Sequence, residues 1–206
     1  MRQKLIEEAK KRISSDDPSH DLGHALRVLA NAETIARIEG GDPEIIIPAA
    51  LFHDVVNYPK DDPRSDYSAD DSAILTSDIL YNIESYDRSK IPYVAQAIAE
   101  HTFPKGIRPT TLESKIVQDA DRLECTGAIA IMRTFSSTGQ MKRGFYNPSE
   151  PFCENNNTGK NYALDLFYKR LFRVKDLMNM YTARRMAEER TAFLYLFMEQ
   201  LRSEIE

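Results

Sequence analysis

The sequence predicts an all-α fold, and three observations carry that prediction. Apolar residues recur three and four apart through most long segments. Helix-starting and helix-stopping residues bracket those segments, and no stretch alternates apolar and polar residues as a strand would. One domain is expected over residues 1–206, with its core over about 20–135, a surface loop over 136–160 and additional C-terminal helices over 161–206. A chain of 206 residues can bury one good core without a second domain.

Met1 to Arg12 reads as a charged helix start and lacks the apolar run of a secretory leader. From His24 to Ile38, Leu26, Val28, Leu29, Ala32, Ile35 and Ala36 form one stripe. Gly40-Gly41-Asp42-Pro43 stops that helix, and Pro43 starts the next one, through Ile45, Ile46, Ala49, Ala50, Leu51 and Phe52. That segment is apolar nearly all round, so it is expected at the centre, with His53-Asp54 emerging at its end. Asn57 to Asp66 is a polar loop punctuated by proline. Helices are expected over about Ala69–Tyr81 and from Pro92 to about Thr102, the latter closing on His101.

Pro104, Gly106 and Pro109 mark a turn, after which Thr111-Leu112-Glu113 opens a helix carrying Ile116, Val117, Ala120, Leu123 and Ala128 to Phe135. Ser136 to Lys160 is rich in Gly, Pro, Ser and Asn and reads as a long surface loop, a candidate cover for a pocket. Two amphipathic helices, Tyr162–Leu177 and Ala183–Ile205, complete the chain.

Composition excludes several classes. With 42% hydrophobic and 29% charged residues the chain is an ordinary globular one, and no run approaches the ~20 apolar residues of a membrane span. A net charge of -5 does not favour a nucleic-acid polymer as partner, because phosphate backbones select clustered Lys and Arg. Cys125 and Cys153 are too few for a disulfide scaffold and read as reduced thiols of a cytoplasmic protein.

The chemistry concentrates in four histidines. His20 and His24 lie in SHDLGHALRV, His53 and Asp54 in AALFHDVV, and His101 in AIAEHTF, while KIVQDADRLE adds Asp119 and Asp121. Imidazoles beside carboxylates in apolar helical text point to a divalent metal site, with donors converging from separate helices. Residues two apart on a helix point roughly opposite ways, so Asp119 and Asp121 are alternatives for one ion. No Gly-rich phosphate loop is present.

These elements resemble the HD-domain metal-dependent phosphohydrolases. The signature of that family is a histidine, a His-Asp pair and a distant aspartate. His24 to Val28 matches its first element as H-x-x-x-V, Leu51 to Asp54 the second as LFHD, and Ala120 to Leu123 the last as ADRL. Similarity to a bacterial subgroup extends over about residues 15–200, through SHDLGHALRV, the HD, PK and RS elements, AEHTF and ESKIVQDADRLE.

The resemblance implies an HD-domain bundle with His24, His53, Asp54 and Asp121 as metal ligands. Asp121 is favoured because the family's ligand directly precedes an Arg/Lys-Leu pair. The cofactor implied is one or two divalent ions of the Mn, Fe, Co, Ni, Mg or Zn kind. His20 and His101 are candidates for phosphate contact or proton transfer, set against structural roles. Lys60, Arg64 and Arg27 are candidates for substrate phosphate binding, set against solvated surface positions. The expected activity is hydrolysis of a phosphate ester or anhydride of a small molecule, above all a nucleotide, with cleavage of a nucleoside triphosphate to monophosphate and pyrophosphate in view. The alternatives are a nucleotide-sensing HD module without turnover and, in a minority of HD proteins, di-iron oxygenation.

Overall fold

The structure is a computed structural model and describes residues 1–14, 17, 19–59, 62–102, 106–152 and 161–205. Among these residues helices dominate and no strand forms; one isolated bridge joins Gly144 to Tyr162. Backbone contacts divide the chain into two compact units, Met1–Asp121 and Arg122–Glu206.

The first unit contains α1 (Arg2–Arg12), α2 (Leu22–Glu39), α3 (Pro43–Phe52), α4 (Ser68–Tyr81), α5 (Ile91–Ala99) and α6 (Leu112–Arg122). Two of these starts are set by side chains. The Asp21 carboxylate accepts the His24 N–H at 2.8 Å, and Asp42 accepts the Glu44 N–H at 2.9 Å ahead of Pro43. α3 packs against α1, α2, α4 and α5 and buries Ile45, Ile46, Ala49, Ala50, Leu51 and Phe52, as its all-round apolar sequence predicts. Before it, Gly41 has φ +101°, and an added Cβ would sit 2.8 Å from Ile46 Cδ1.

Pro48 lies inside α3 and has no N–H to offer the Glu44 carbonyl one turn earlier. The buried Tyr86 supplies the missing donor, its hydroxyl reaching Glu44 O at 2.6 Å. Burial and the charge of Glu44 raise the Tyr86 pKa. α6 is tied in by hydrogen bonds: Asp42 N–H donates to Glu113 Oε1 at 3.0 Å, and Asn31 Nδ2 to Ala120 O at 3.3 Å.

The second unit contains α7 (Gly127–Gln140), α8 (Ala163–Lys169) and α9 (Tyr181–Ile205). Its core gathers Ala130, Leu164, Phe167, Leu171, Leu194 and Met198, with the rings of Phe135, Phe172 and Phe197 around Phe167.

Several boundaries differ from expectation. The helix expected from Thr111 to Phe135 is two helices, separated by a 3-10 turn at Leu123–Cys125. Gly127 has φ +66°, where the Arg190 stem would lie 3.2 Å from an added Cβ. α7 then continues to Gln140, so the expected loop does not begin at Ser136. Its polar residues are tolerated because Thr138 Oγ1 donates back to Thr134 O at 2.6 Å. The expected helix Tyr162–Leu177 breaks at Arg170 into α8 and a 3-10 segment, Leu171–Leu177. α5 stops at Ala99, so His101 lies just beyond a helix rather than inside one. No helix among the described residues is long and apolar enough to cross a membrane.

Candidate metal centre

His24 stands in the first turn of α2, on an N-terminus that Asp21 caps. His53 is the C-cap of α3, Asp54 follows it, and Asp121 comes from the last turn of α6. These elements bring four expected ligands together. His24 Nε2 and His53 Nε2 are 3.0 Å apart. Asp121 Oδ1 lies 3.5 Å from His24 Nε2 and 3.8 Å from His53 Nε2. Asp54 Oδ2 lies 3.7 Å and 3.4 Å from the same two nitrogens.

His101 joins this cluster, its Nε2 3.4 Å from Asp54 Oδ1, so the two Asp54 oxygens face different imidazoles. Two overlapping triads therefore have metal-ligating geometry: His24, His53 and Asp121, and His53, Asp54 and His101.

Burial gives the cluster a closed and an open side. The His24 and His53 side chains are 1% and 0% exposed, whereas those of Asp54 and Asp121 are 21% and 19% exposed. The tautomers follow from the helix ends. His53 Nδ1 is 2.9 Å from Ala50 O, and His101 Nδ1 is 2.5 Å from Ile98 O, each three residues back. Carbonyls in the last turn of a helix lack intrahelical partners. A ring just past the helix can therefore donate Nδ1–H to one of them, which turns the Nε2 lone pair toward the cluster. Nε2 atoms so directed, once deprotonated, form with the carboxylate oxygens a donor set that fits a first-row divalent ion.

The electrostatics agree. Burial pulls the His53 pKa down, but the Asp54 charge and hydrogen bond, the Asp121 charge and the Ala50 carbonyl together raise it to about 9. Burial pushes Asp54 up, yet the His53 charge and hydrogen bonds from His101, His24 and His53 hold it well below the usual carboxylate range. Asp121 is also lowered: the charges of His53 and His24 outweigh burial and the repulsion of Asp54. Two buried imidazoles facing two ionised carboxylates call for positive charge at their centre.

Of the remaining expected residues, His20 and Arg27 lie beside the His24 turn and Arg64 is engaged elsewhere. His20 stacks edge-on to His24 at 5.6 Å between ring centroids, with Nδ1 2.7 Å from Asp17 Oδ2. Asp17 was not among the expected site residues, although its place three before His20 in a turn was visible in the sequence. Arg27 is one turn beyond His24, and its Nη1 would lie 3.3 Å from a Cβ added to Gly23. The guanidinium therefore lies over the first turn of α2. Arg64 is held by Asp62 through Nε at 3.0 Å and Nη2 at 2.7 Å, and stacks on Tyr58 at 4.4 Å. Lys60 lies outside the described residues. Asp119 is fully buried.

The HD domain family model matches residues 21–126, the stretch that carries all five clustered side chains. A curated relative, YpgQ of Bacillus subtilis (strain 168), is 29% identical over 194 residues, covering 94% of this chain and 88% of the relative. The crystal structure of Bacillus subtilis YpgQ in complex with ADP has a TM-score of 0.73 at 28% identity, covering 98% of this chain and 96% of that one. An HD-superfamily hydrolase from Bacillus thuringiensis has a TM-score of 0.75 at 32% identity, covering 98% of this chain and 95% of that one. With the His, His-Asp and Asp elements in family order and converged in space, this chain belongs to the HD domain family and has the fold of its HD-superfamily hydrolases.

Proposed function

We propose that this chain is a metal-dependent phosphohydrolase acting on a nucleotide, with cleavage of a nucleoside triphosphate to monophosphate and pyrophosphate as the leading reaction. The observation that carries the proposal is the 3.0 Å approach of His24 Nε2 to His53 Nε2, facing two partly exposed carboxylates. A purely structural cluster has no need of an open carboxylate side, whereas a site that admits substrate requires one. The likeness to a protein solved with ADP supports a nucleotide, and so does the acidic net charge of -5, which suits a small molecule over a polymer.

His24, His53, Asp54 and Asp121 would hold the ion. A divalent ion bound there supplies charge for a phosphate oxygen and acidifies water near neutral pH. His101 shares Asp54 with the ligand set at 3.4 Å and manages protons at the edge of the site. His20, fixed by Asp17, contacts phosphate or carries a proton. Arg27 binds phosphate from one turn beyond His24, and Arg64 and Lys60 offer further positive charge to the departing group.

The test is a panel of nucleotides incubated with Mn, Co, Ni or Mg, with phosphate and pyrophosphate release measured. Turnover that disappears in Asp54→Ala while the helical circular dichroism signal persists is the expected result. Thermal stabilisation by a nucleotide without product under any metal would replace the enzyme with a nucleotide sensor.

A further inference from the structure

Gln118 has no part in the ligand set, yet it is fully buried on the helix that supplies Asp121 three residues later. Its amide nitrogen donates to two main-chain carbonyls, Glu100 O at 2.8 Å and Ile107 O at 3.1 Å. Glu100 O belongs to the peptide unit that leads into His101, and the other half of that unit, His101 N–H, donates to Ile98 O at 3.2 Å. The peptide plane that orients the His101 Cα–Cβ bond is therefore gripped on both sides, by the end of α5 and by Gln118. A grip is needed here because α5 ends at Ala99 and His101 stands on non-helical backbone.

Neighbouring bonds tie Glu100 to Thr110 as well. Glu100 Oε2 accepts the Thr110 N–H at 2.9 Å, and Glu100 Oε1 accepts the Thr110 hydroxyl at 2.7 Å. An amide has two N–H groups, and two carbonyls, Glu100 O and Ile107 O, face this one. An apolar residue at position 118 would leave both carbonyls without that donor in a partly buried setting.

We infer that Gln118 is a positioning residue for His101, setting the ring that meets Asp54 through the peptide unit before it. This inference rests on the proton-handling role proposed for His101, and it carries a structural readout independent of that role. The chain has four histidines, so their ring nitrogens are resolvable by long-range proton–nitrogen NMR and assignable by single substitution.

The variant is Gln118→Met, similar in length and without donors. The metal-free protein is expected to lose the Nδ1–H signature of His101, through a changed or exchange-broadened tautomer, while the His24 and His53 signals stay in place. Turnover should fall about tenfold to a hundredfold, as for a catalytic group displaced by roughly 1 Å, a larger factor than any accompanying change in Mn affinity. In a His101→Ala background, Gln118→Met should cause no further loss.

Unchanged His101 signals in folded Gln118→Met would overturn the inference, and so would an equal loss of turnover with and without the imidazole. Wild-type protein without turnover would refute the proposed activity and leave the NMR comparison to decide the role of Gln118. Should Gln118→Met not fold, Gln118→Asn keeps the donors but is too short to span both carbonyls, and the same two outcomes apply to it.

Discussion

His24 Nε2 and His53 Nε2 meet at 3.0 Å, inside a cluster whose carboxylates come from the end of α3 and from α6. Two bare imidazole nitrogens at that separation repel unless a proton or a cation lies between them. In the metal-free chain the proton serves, and the carboxylates beside it raise His53 to about 9. A divalent ion has to displace that proton. Binding is therefore expected to release about one proton near neutral pH, with affinity increasing as pH rises. Titration calorimetry in buffers of different ionisation enthalpy checks this; an affinity independent of pH would contradict histidine ligation.

The same proton governs the stability of the metal-free protein. His53 has a folded pKa above its ordinary 6.5, so its stabilising contribution is complete below pH 6.5 and is lost as pH climbs through about 9. The loss is on the order of 3 kcal/mol, at about 1.4 kcal/mol for each unit of displacement. Chelator-treated protein should therefore melt several degrees lower at the alkaline end of that range, and added Mn should reverse the trend. A flat melting profile would place the buried charge elsewhere.

Asp121 and Asp119 should separate by phenotype. Asp121→Asn removes a carboxylate 3.5 Å from His24 Nε2 and is expected to weaken metal retention at least about tenfold. Asp119→Asn alters a fully buried group and should lower stability by about 1–3 kcal/mol, with metal retention largely intact. Metal content after gel filtration, read beside denaturant melts, distinguishes them, and the reverse order would reassign the ligand.

Arg27 and Arg64 differ in commitment. Arg64 is clamped bidentately by Asp62 and its side chain is 64% exposed, whereas Arg27 lies over the turn that carries His24. Arg27→Ala is expected to raise the KM for a nucleotide about tenfold, and Arg64→Ala about twofold or less, because Asp62 already neutralises its guanidinium. Steady-state kinetics at fixed metal decide the order.

Tyr86→Phe tests the repair of α3. Without its hydroxyl the Glu44 carbonyl loses the donor that Pro48 cannot provide, at a cost of about 1–3 kcal/mol. Urea denaturation measures it, and no change in midpoint would mean that the carbonyl finds another donor.

Much of this molecule was legible from local text. Gly40-Gly41-Asp42-Pro43 announced one helix end and the next helix start, the all-round apolar run from Ile45 to Phe52 announced a buried helix, and the order His24, His53-Asp54, Asp121 announced the family. The break at Gly127 was not legible, because the residue reads as a tolerable glycine until its φ of +66° and the crowding by Arg190 are seen. Gln118 and Tyr86 gave no signal either: each bonds a backbone carbonyl distant in sequence, and no short-range pattern encodes such a pair.

The sequence by itself determined the all-α class, the buried run of α3 and the set of donor types, because periodicity acts within a few residues. Only the tertiary structure decided that His101 joins the His53-Asp54 cluster, that Asp54 faces three imidazoles, and that Arg64 turns to Asp62. Those relations depend on how helices pack, a through-space property that spacing along the chain does not contain.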